Sequence, residues 1–87
     1  MNPEQNRAPG DTLVRVRQLI VDVLGAPIEH VDMATSHEDI PAWDSLNIVK
    51  LAMAIEAEFM TAVTPDDAVN LTSVKAIVDM LHDKGVR

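Results

Sequence analysis

The sequence predicts an all-α domain: a four-helix bundle of three longer helices and a short third helix, with a long loop between helices 1 and 2. Apolar residues recur at helical spacing, and no segment alternates as a strand does. The apolar residues are mostly Ala, Val, Leu, Ile and Met, with one Trp, one Phe and no Tyr, a mixture that favours helices. Residues 1–10 contain two Pro and one Gly, which predicts a disordered tail before a single domain over residues 11–87.

The first predicted helix covers about residues 12–24. Asp11 can cap its start, Gly25 can adopt the left-handed conformation that ends it, and Pro27 prevents it from resuming. Its apolar face consists of Leu13, Val16, Leu19, Ile20, Val23 and Leu24.

A long connection follows over residues 25–43. A loop of this length in a small domain is usually functional or contains a short turn of helix. We expect four apolar residues to hold it against the core, namely Val31, Met33, Ile40 and Trp43.

The second helix is predicted from Ser45 to Phe59 or Met60, with Asp44 or Ser45 as its cap. Apolar residues cover most of its circumference, so we expect it to be the central helix of the bundle. Glu56 is an exception that falls on the apolar side and has no evident role. The residues taken to cover most of the circumference are Leu46, Ile48, Val49, Ala52, Met53, Ile55 and Phe59.

Two further helices complete the bundle. Thr64 and Pro65 predict the start of a short third helix, because Thr is a common cap and Pro suits the first helical position. Thr72 is expected to cap the last helix, which reaches about Lys84 before Gly85 ends it. The apolar face of this helix is Val74, Ile77, Val78 and Leu81.

Charge and composition exclude several classes of function. The formal charge is −7, and residues 22–67 hold ten acidic side chains against one basic side chain. We therefore expect no binding to nucleic acid or to an anionic membrane, because both are negatively charged. The negative charge either attracts partners with basic patches or serves only to keep the protein soluble. No segment is long and apolar enough to span a bilayer, and residues 1–10 do not form a signal peptide, so we expect a cytoplasmic protein. We also expect it to be a monomer.

The sequence contains no pattern typical of an active site or a metal centre. There is no Cys, and His30, His37 and His82 are not spaced as paired metal ligands. A chain this short could hardly enclose a Ser–His–Asp triad. We therefore expect no catalytic residues and no metal, and the chain is predicted not to be an enzyme.

Ser45 is the residue that points to a function. It begins the second helix, where unpaired backbone N–H groups and the helix dipole favour a negative charge. A phosphodiester on its hydroxyl would therefore lie in a natural anion site. The residues alone leave open the alternative that Ser45 is only a helix cap.

The run DSLNIVKLAMAIEAEF, residues 44–59, resembles the signature of acyl carrier proteins, in which Asp-Ser-Leu opens the second helix and Glu-x-Glu-Phe closes it. The segments LGAPIEHVDMATSHEDIPAW (24–43) and VTPDDAVNLTSVKAIVDML (63–81) resemble the first loop and the last two helices of that family. The resemblance spans about residues 11–84 and implies an acyl-carrier-like fold in its discrete, type II form.

The resemblance implies a cofactor and a set of partners. Ser45, between the motif residues Asp44 and Leu46, would receive 4′-phosphopantetheine covalently from coenzyme A. A phosphopantetheinyl transferase would attach it with Mg²⁺. The thiol of the arm would then hold acyl intermediates as thioesters for acyl-loading, chain-elongating or acyl-transferring enzymes.

Two features depart from the family pattern. Positions that are often acidic in carriers of primary fatty-acid synthesis hold Asn47, Lys50 and Ala57, and Trp43 precedes the motif. Because surface charges decide between partners, these differences favour a specialised pathway for polyketides, nonribosomal peptides or lipids over drift within a housekeeping carrier. The residues expected to contact partners are Asn47, Lys50, Glu56 and Glu58.

Six apolar residues resemble positions that surround a sequestered acyl chain in the family, with ordinary core packing as the alternative. They are Ile48, Ile55, Ala68, Val69, Leu71 and Ile77.

Two other functions stay open for the chain as a whole. One is an aminoacyl or D-alanyl carrier, which differs only in its cargo, and the other is an unmodified helical protein-interaction domain.

Overall fold

The structure is a computed structural model that describes residues 11–86. Within them a 3₁₀ turn, Ile28–His30, lies in the connection between the first two of four α-helices. The predicted all-α fold, with a short third helix and a long first loop, is confirmed, whereas the tail predicted for residues 1–10 lies outside the described residues. The helices are α1 (Asp11–Leu24), α2 (Ser45–Phe59), α3 (Pro65–Ala68) and α4 (Val74–Asp83).

Helix α1 packs against more of the fold than any other described helix. Its buried residues Val16 and Ile20 belong to the core, and α1 contacts both α2 and α4. The chain leaves α1 at Gly25 as predicted: this residue has a φ of 71°, and its N–H donates to the Val21 carbonyl at 2.9 Å. This left-handed geometry is the one that glycine adopts most readily.

The prediction that α2 is the central helix is wrong. Only one face of α2 is buried, through Leu51, Ile55 and Phe59. No described element covers the opposite face, so apolar residues that were expected in the core lie in water. They are Leu46, Val49 and Met53.

The loop between α1 and α2 contains a short helical turn, one of the two alternatives for a loop of this length, and packs against the core through Val31, Ile40 and Trp43. The prediction that Met33 also packs there is wrong, because its side chain is 38% exposed. The chain turns outward at this point, where the Asp32 carboxylate accepts from the Ala34 N–H at 2.9 Å. Thr35 is buried instead, and its hydroxyl donates to the His30 carbonyl.

The short helix α3 begins at the cap that the sequence predicts, Thr64, and the structure shows that this cap is reciprocal. The Thr64 hydroxyl accepts from the Asp67 N–H at 3.1 Å, and the Asp67 carboxylate accepts from the Thr64 N–H at 3.0 Å. Asp67 also forms an ion pair with Lys84 at 2.8 Å, which ties the start of α3 to the end of α4.

The cap of α4 is Ser73, so the prediction of Thr72 is wrong by one residue. The Ser73 hydroxyl accepts from the Ala76 N–H at 3.0 Å. The reason is a contact from far along the chain: Ser36 and Ser73 form an isolated antiparallel bridge, and the His37 N–H donates to the Thr72 carbonyl. This pairing holds Ser73 extended, as an N-cap requires.

Across residues 11–86, none of the helices is both long enough and apolar enough to cross a bilayer.

Candidate functional site

The cap of α2 is Asp44, and this leaves the hydroxyl of Ser45 available. The Asp44 carboxylate accepts from the Asn47 N–H at 3.0 Å, and the Asp44 carbonyl accepts from the Ile48 N–H at 2.8 Å. Ser45 is therefore the first helical residue rather than the cap, and it is exposed. Of the two capping residues that the sequence allowed, the structure selects Asp44.

The start of α2 offers a smaller set of backbone donors than an uncapped helix. The Asp44 carboxylate already engages the N–H group of Asn47, which an uncapped helix would leave free. Helix geometry leaves the N–H groups of Ser45 and Leu46 without partners inside the helix. An anion on the Ser45 hydroxyl would therefore meet these two donors and the positive end of the helix dipole.

The segment before Ser45 is fixed by Trp43. Its ring is almost completely buried, with 3% exposed, and its indole N–H donates to the Leu71 carbonyl at 2.9 Å. The backbone N–H of Trp43 donates to the Ile40 carbonyl at 2.9 Å. The start of α2 is thereby attached to the connection between α3 and α4, a contact that the sequence did not reveal.

Asn47 contributes to the same segment from within α2. Its half-buried side-chain amide donates to the Ala42 carbonyl at 2.7 Å. Asn47 was predicted to contact partners, but its amide N–H faces the loop that precedes Ser45. The direct effect of this side chain is to hold residues 42–47 in one conformation.

Two other residues predicted to contact partners lie near the far end of α2, roughly 16–20 Å along the axis from Ser45. The Glu56 carboxylate accepts from the Val63 N–H at 2.9 Å and closes the turn after α2, which gives this residue the role that the sequence left unexplained. Glu58 forms an ion pair with Arg15 at 3.1 Å, and the Arg15 guanidinium lies 4.3 Å from the centroid of the Phe59 ring. Both acids therefore stabilise the fold around the end of α2.

Lys50 differs from the other three residues predicted to contact partners. It is exposed in the middle of α2 and forms no ion pair with any residue that the structure describes. Its position, about 1.4 helical turns after Ser45, keeps it within reach of a protein that approaches the serine.

The six residues of the predicted acyl cleft do not share one environment. Ile55, Leu71 and Ile77 are fully buried in the core. Ile48 and Ala68 are half-buried, and Val69 is 71% exposed. Val69 therefore does not line an enclosed chamber in this conformation, and a cleft that accepts an acyl chain stays a prediction.

Among the residues that the structure describes, no group of three His, Asp or Glu side chains converges as metal ligands would. Residues 14–81 match the family model described as "Phosphopantetheine attachment site". The match extends from α1 through most of α4 and includes Ser45, and it confirms the resemblance drawn from the Asp-Ser-Leu run.

Proposed function

Because this chain belongs to the phosphopantetheine attachment site family of acyl carrier domains, whose members carry covalent 4′-phosphopantetheine, we propose that Ser45 bears the arm and that the protein presents acyl groups to partner enzymes. The observation that carries the proposal is that capping the helix and offering a free hydroxyl fall to two different residues at the start of α2. Asp44 makes the capping hydrogen bond, and Ser45 beside it is exposed. Carrier domains of this family are not catalysts, and no catalytic role is proposed for any residue here.

The attachment chemistry requires little of the chain beyond a reachable hydroxyl. The Oγ of Ser45 forms a bond to the phosphorus that bears the pantetheine of coenzyme A, and the bond from that phosphorus to the bridging oxygen breaks. Adenosine 3′,5′-bisphosphate leaves, and the hydroxyl proton passes to a base of the transferase. The N–H groups of Ser45 and Leu46 would stabilise the phosphodiester charge. When bound, the arm supplies the thiol that holds an acyl group as a thioester.

The proposal is tested by intact-mass measurement after incubation with coenzyme A, Mg²⁺ and a broad-specificity phosphopantetheinyl transferase. We expect the protein to gain one phosphopantetheine group and Ser45→Ala to gain none. Ser73→Ala is a matched control, because Ser73 also lies at a helix start but caps it. This variant should still be modified. An unmodified wild-type protein, or a Ser45→Ala protein that is still modified, would overturn the proposal.

We propose a dedicated pathway, rather than primary fatty-acid synthesis, as the setting of this carrier. The support is the outward surface of α2, where Lys50 is exposed and the two acids of the helix bind Val63 and Arg15. Polyketide, nonribosomal-peptide and specialised lipid assembly all fit, and so does an aminoacyl cargo. If the protein restored growth to a strain that lacks its fatty-acid-synthesis carrier, the dedicated pathway would be ruled out while the role of Ser45 would stand.

A further inference from the structure

A groove lies between the end of α1 and the segment that leads to Ser45. It has a volume of about 350 Å³ and a mainly apolar lining. We call it the loop groove, because the connection between α1 and α2 forms most of its wall. Its apolar lining residues are Leu24, Ala26, Pro27, Ile40, Pro41 and Ala42.

Two observations place the loop groove close to Ser45. Arg15, early in α1, pairs with Glu58, late in α2, so the helices are antiparallel and α1 ends at the same end of the bundle as Ser45. Ala42, in the wall of the groove, precedes Ser45 by three residues, which span at most about 11 Å. A 4′-phosphopantetheine arm is longer than this, because its pantoate, β-alanine and cysteamine units follow one another in a single chain. The groove is therefore within reach of an arm on Ser45.

The loop groove also suits the chemistry of the arm. Its volume of about 350 Å³ lies within the range of small-molecule sites, roughly 300–1,000 Å³. The apolar wall would take the two methyl groups and the methylene groups of the arm out of water. His30 and Asp39 line the same groove with exposed polar side chains, so they offer hydrogen-bond partners to the amide and hydroxyl groups of the arm.

Towards α3, by contrast, the apolar side chains are closed to solvent. Ile55, Leu71 and Ile77 are fully buried. The Leu71 carbonyl is also held by the indole N–H of Trp43 at 2.9 Å. An arm that entered on this side would have to break that buried hydrogen bond and expose apolar side chains, both of which cost free energy. The loop groove is already open, so an arm enters it without this cost.

We infer that the loop groove is a docking site for the arm on Ser45, and that the arm lies there rather than between α2 and α3 when no partner enzyme holds it. The inference rests on the proposed function of Ser45 and specifies where its prosthetic group lies. A short flexible tether presents the arm to the groove at an effective concentration on the order of millimolar. Weak contacts are therefore enough to keep the groove occupied.

The test uses the thiol of the arm, which is the only thiol of the modified protein because the chain contains no Cys. A nitroxide attached to this thiol broadens the NMR signals of the backbone amides that it approaches. We expect the amide signals of Ala26 and His30 to lose most of their intensity, and those of Ala68 and Val69 at the end of α3 to keep most of theirs. The unlabelled arm should shift the signals of Ala26 and His30 relative to the unmodified protein, which excludes an effect of the nitroxide itself.

Two half-buried alanines provide a variant and its matched control. Ala26→Leu places a larger side chain in the wall of the loop groove and should displace the arm, so that the His30 signal recovers its intensity. Ala68→Leu makes the same change on α3 and should leave the broadening at Ala26 and His30 as in the wild type. Far-UV circular dichroism checks that both variants are folded, and intact mass checks that both carry the labelled arm.

The outcomes separate the inference from the proposed function. If Ala68 and Val69 are broadened as strongly as Ala26 and His30, or if Ala26→Leu changes nothing, the arm does not dock in the loop groove and Ser45 remains the attachment site. Signals of Ala26 and His30 that move with the concentration of the unmodified protein would assign the groove to a second copy of the chain and overturn the inference. If the wild-type protein gains no arm, the inference and the proposed function fail together.

Discussion

Helices α2 and α4 both consist largely of apolar residues but bury them to different extents. In α4 the four large residues of one face, Val74, Ile77, Val78 and Leu81, are all buried. The opposite side of α4 carries charges, including the exposed Lys75–Asp79 pair at 2.6 Å. In α2 the buried and exposed faces are both apolar: Leu51, Ile55 and Phe59 point inward, whereas Leu46, Val49 and Met53 point outward.

This difference shows which part of the sequence the fold explains. In α4 the buried face is apolar and the face in water is charged, as a helix that packs on one side requires. Packing accounts for only the inward half of α2, because an apolar side chain left in water contributes nothing to the hydrophobic stabilisation of the fold. The outward half of α2, which adjoins Ser45, is not explained by packing within the described residues.

The largest expected effect is the difference in stability loss between a truncation on the buried face of α4 and a truncation on the exposed face of α2. We expect Ile77→Ala to lower the free energy of unfolding by about 2–5 kcal/mol, because it leaves a cavity at a fully buried position. Met53→Ala should change it by no more than about 0.5 kcal/mol, because the side chain is already in water. Urea denaturation followed by circular dichroism measures both. Equal losses from the two variants would contradict the description of α2 as half-buried.

Trp43 links the two regions, so removing its hydrogen bond should weaken the attachment of α2 to the α3–α4 connection. Trp43→Phe keeps an aromatic ring but leaves the Leu71 carbonyl without its donor. We expect a loss of about 1–3 kcal/mol in the free energy of unfolding, the cost of a buried polar group without a partner. An unchanged urea midpoint would show that the indole N–H does not hold this segment.

Removing the serine hydroxyl should lower the free energy of unfolding more at the start of α4 than at the start of α2. Ser73→Ala removes the hydroxyl that caps α4 and should cost about 1 kcal/mol. Ser45→Ala should change the free energy of unfolding by less than about 0.5 kcal/mol, because Asp44 caps α2. A large loss of stability in Ser45→Ala would mean that its hydroxyl has a structural role.

A smaller, pH-dependent effect concerns the end of α4, where Lys84 binds Asp67. The hydrogen bond from Lys84, followed by that from the Thr64 N–H, lowers the pKa of Asp67 from 3.8 to about 2. A lowered carboxyl pKa stabilises the folded state above the pKa of the unfolded chain, and this stabilisation disappears as the pH falls through the folded value. The urea midpoints of the wild type and Asp67→Asn should therefore differ at pH 6 and converge between about pH 4 and pH 2. A constant difference across that range would contradict the role of the Asp67 carboxylate.

The features that the sequence predicted correctly depend on neighbouring residues. Gly25 ends α1 and Thr64 caps α3 because each acts on backbone groups within four positions of itself. Asp44, one of the two caps that the sequence allowed for α2, acts over the same short range. The family signature also lies in one continuous run, residues 44–59. Local chemistry of this kind can be identified without knowledge of the tertiary fold.

The features that could not be predicted depend on contacts between distant segments. The choice of Ser73 over Thr72 as the cap of α4 follows from the bridge to Ser36. Glu58 becomes part of the fold because Arg15 reaches it from α1. Helical periodicity identified most of the apolar residues of α2 but not the fully buried Leu51, and it gave no information on which of the two apolar faces another element covers.

Fragmentation of the modified protein in a mass spectrometer tests the central claim most directly, because the chain contains three serines and only one of them lies in an Asp-Ser-Leu run. We predict that the phosphopantetheine group will be found on the fragment that contains Ser45 and not on Ser36 or Ser73. Attachment at either of those residues, or a chain that stays unmodified, would contradict the assignment of Ser45 as the residue that carries the arm.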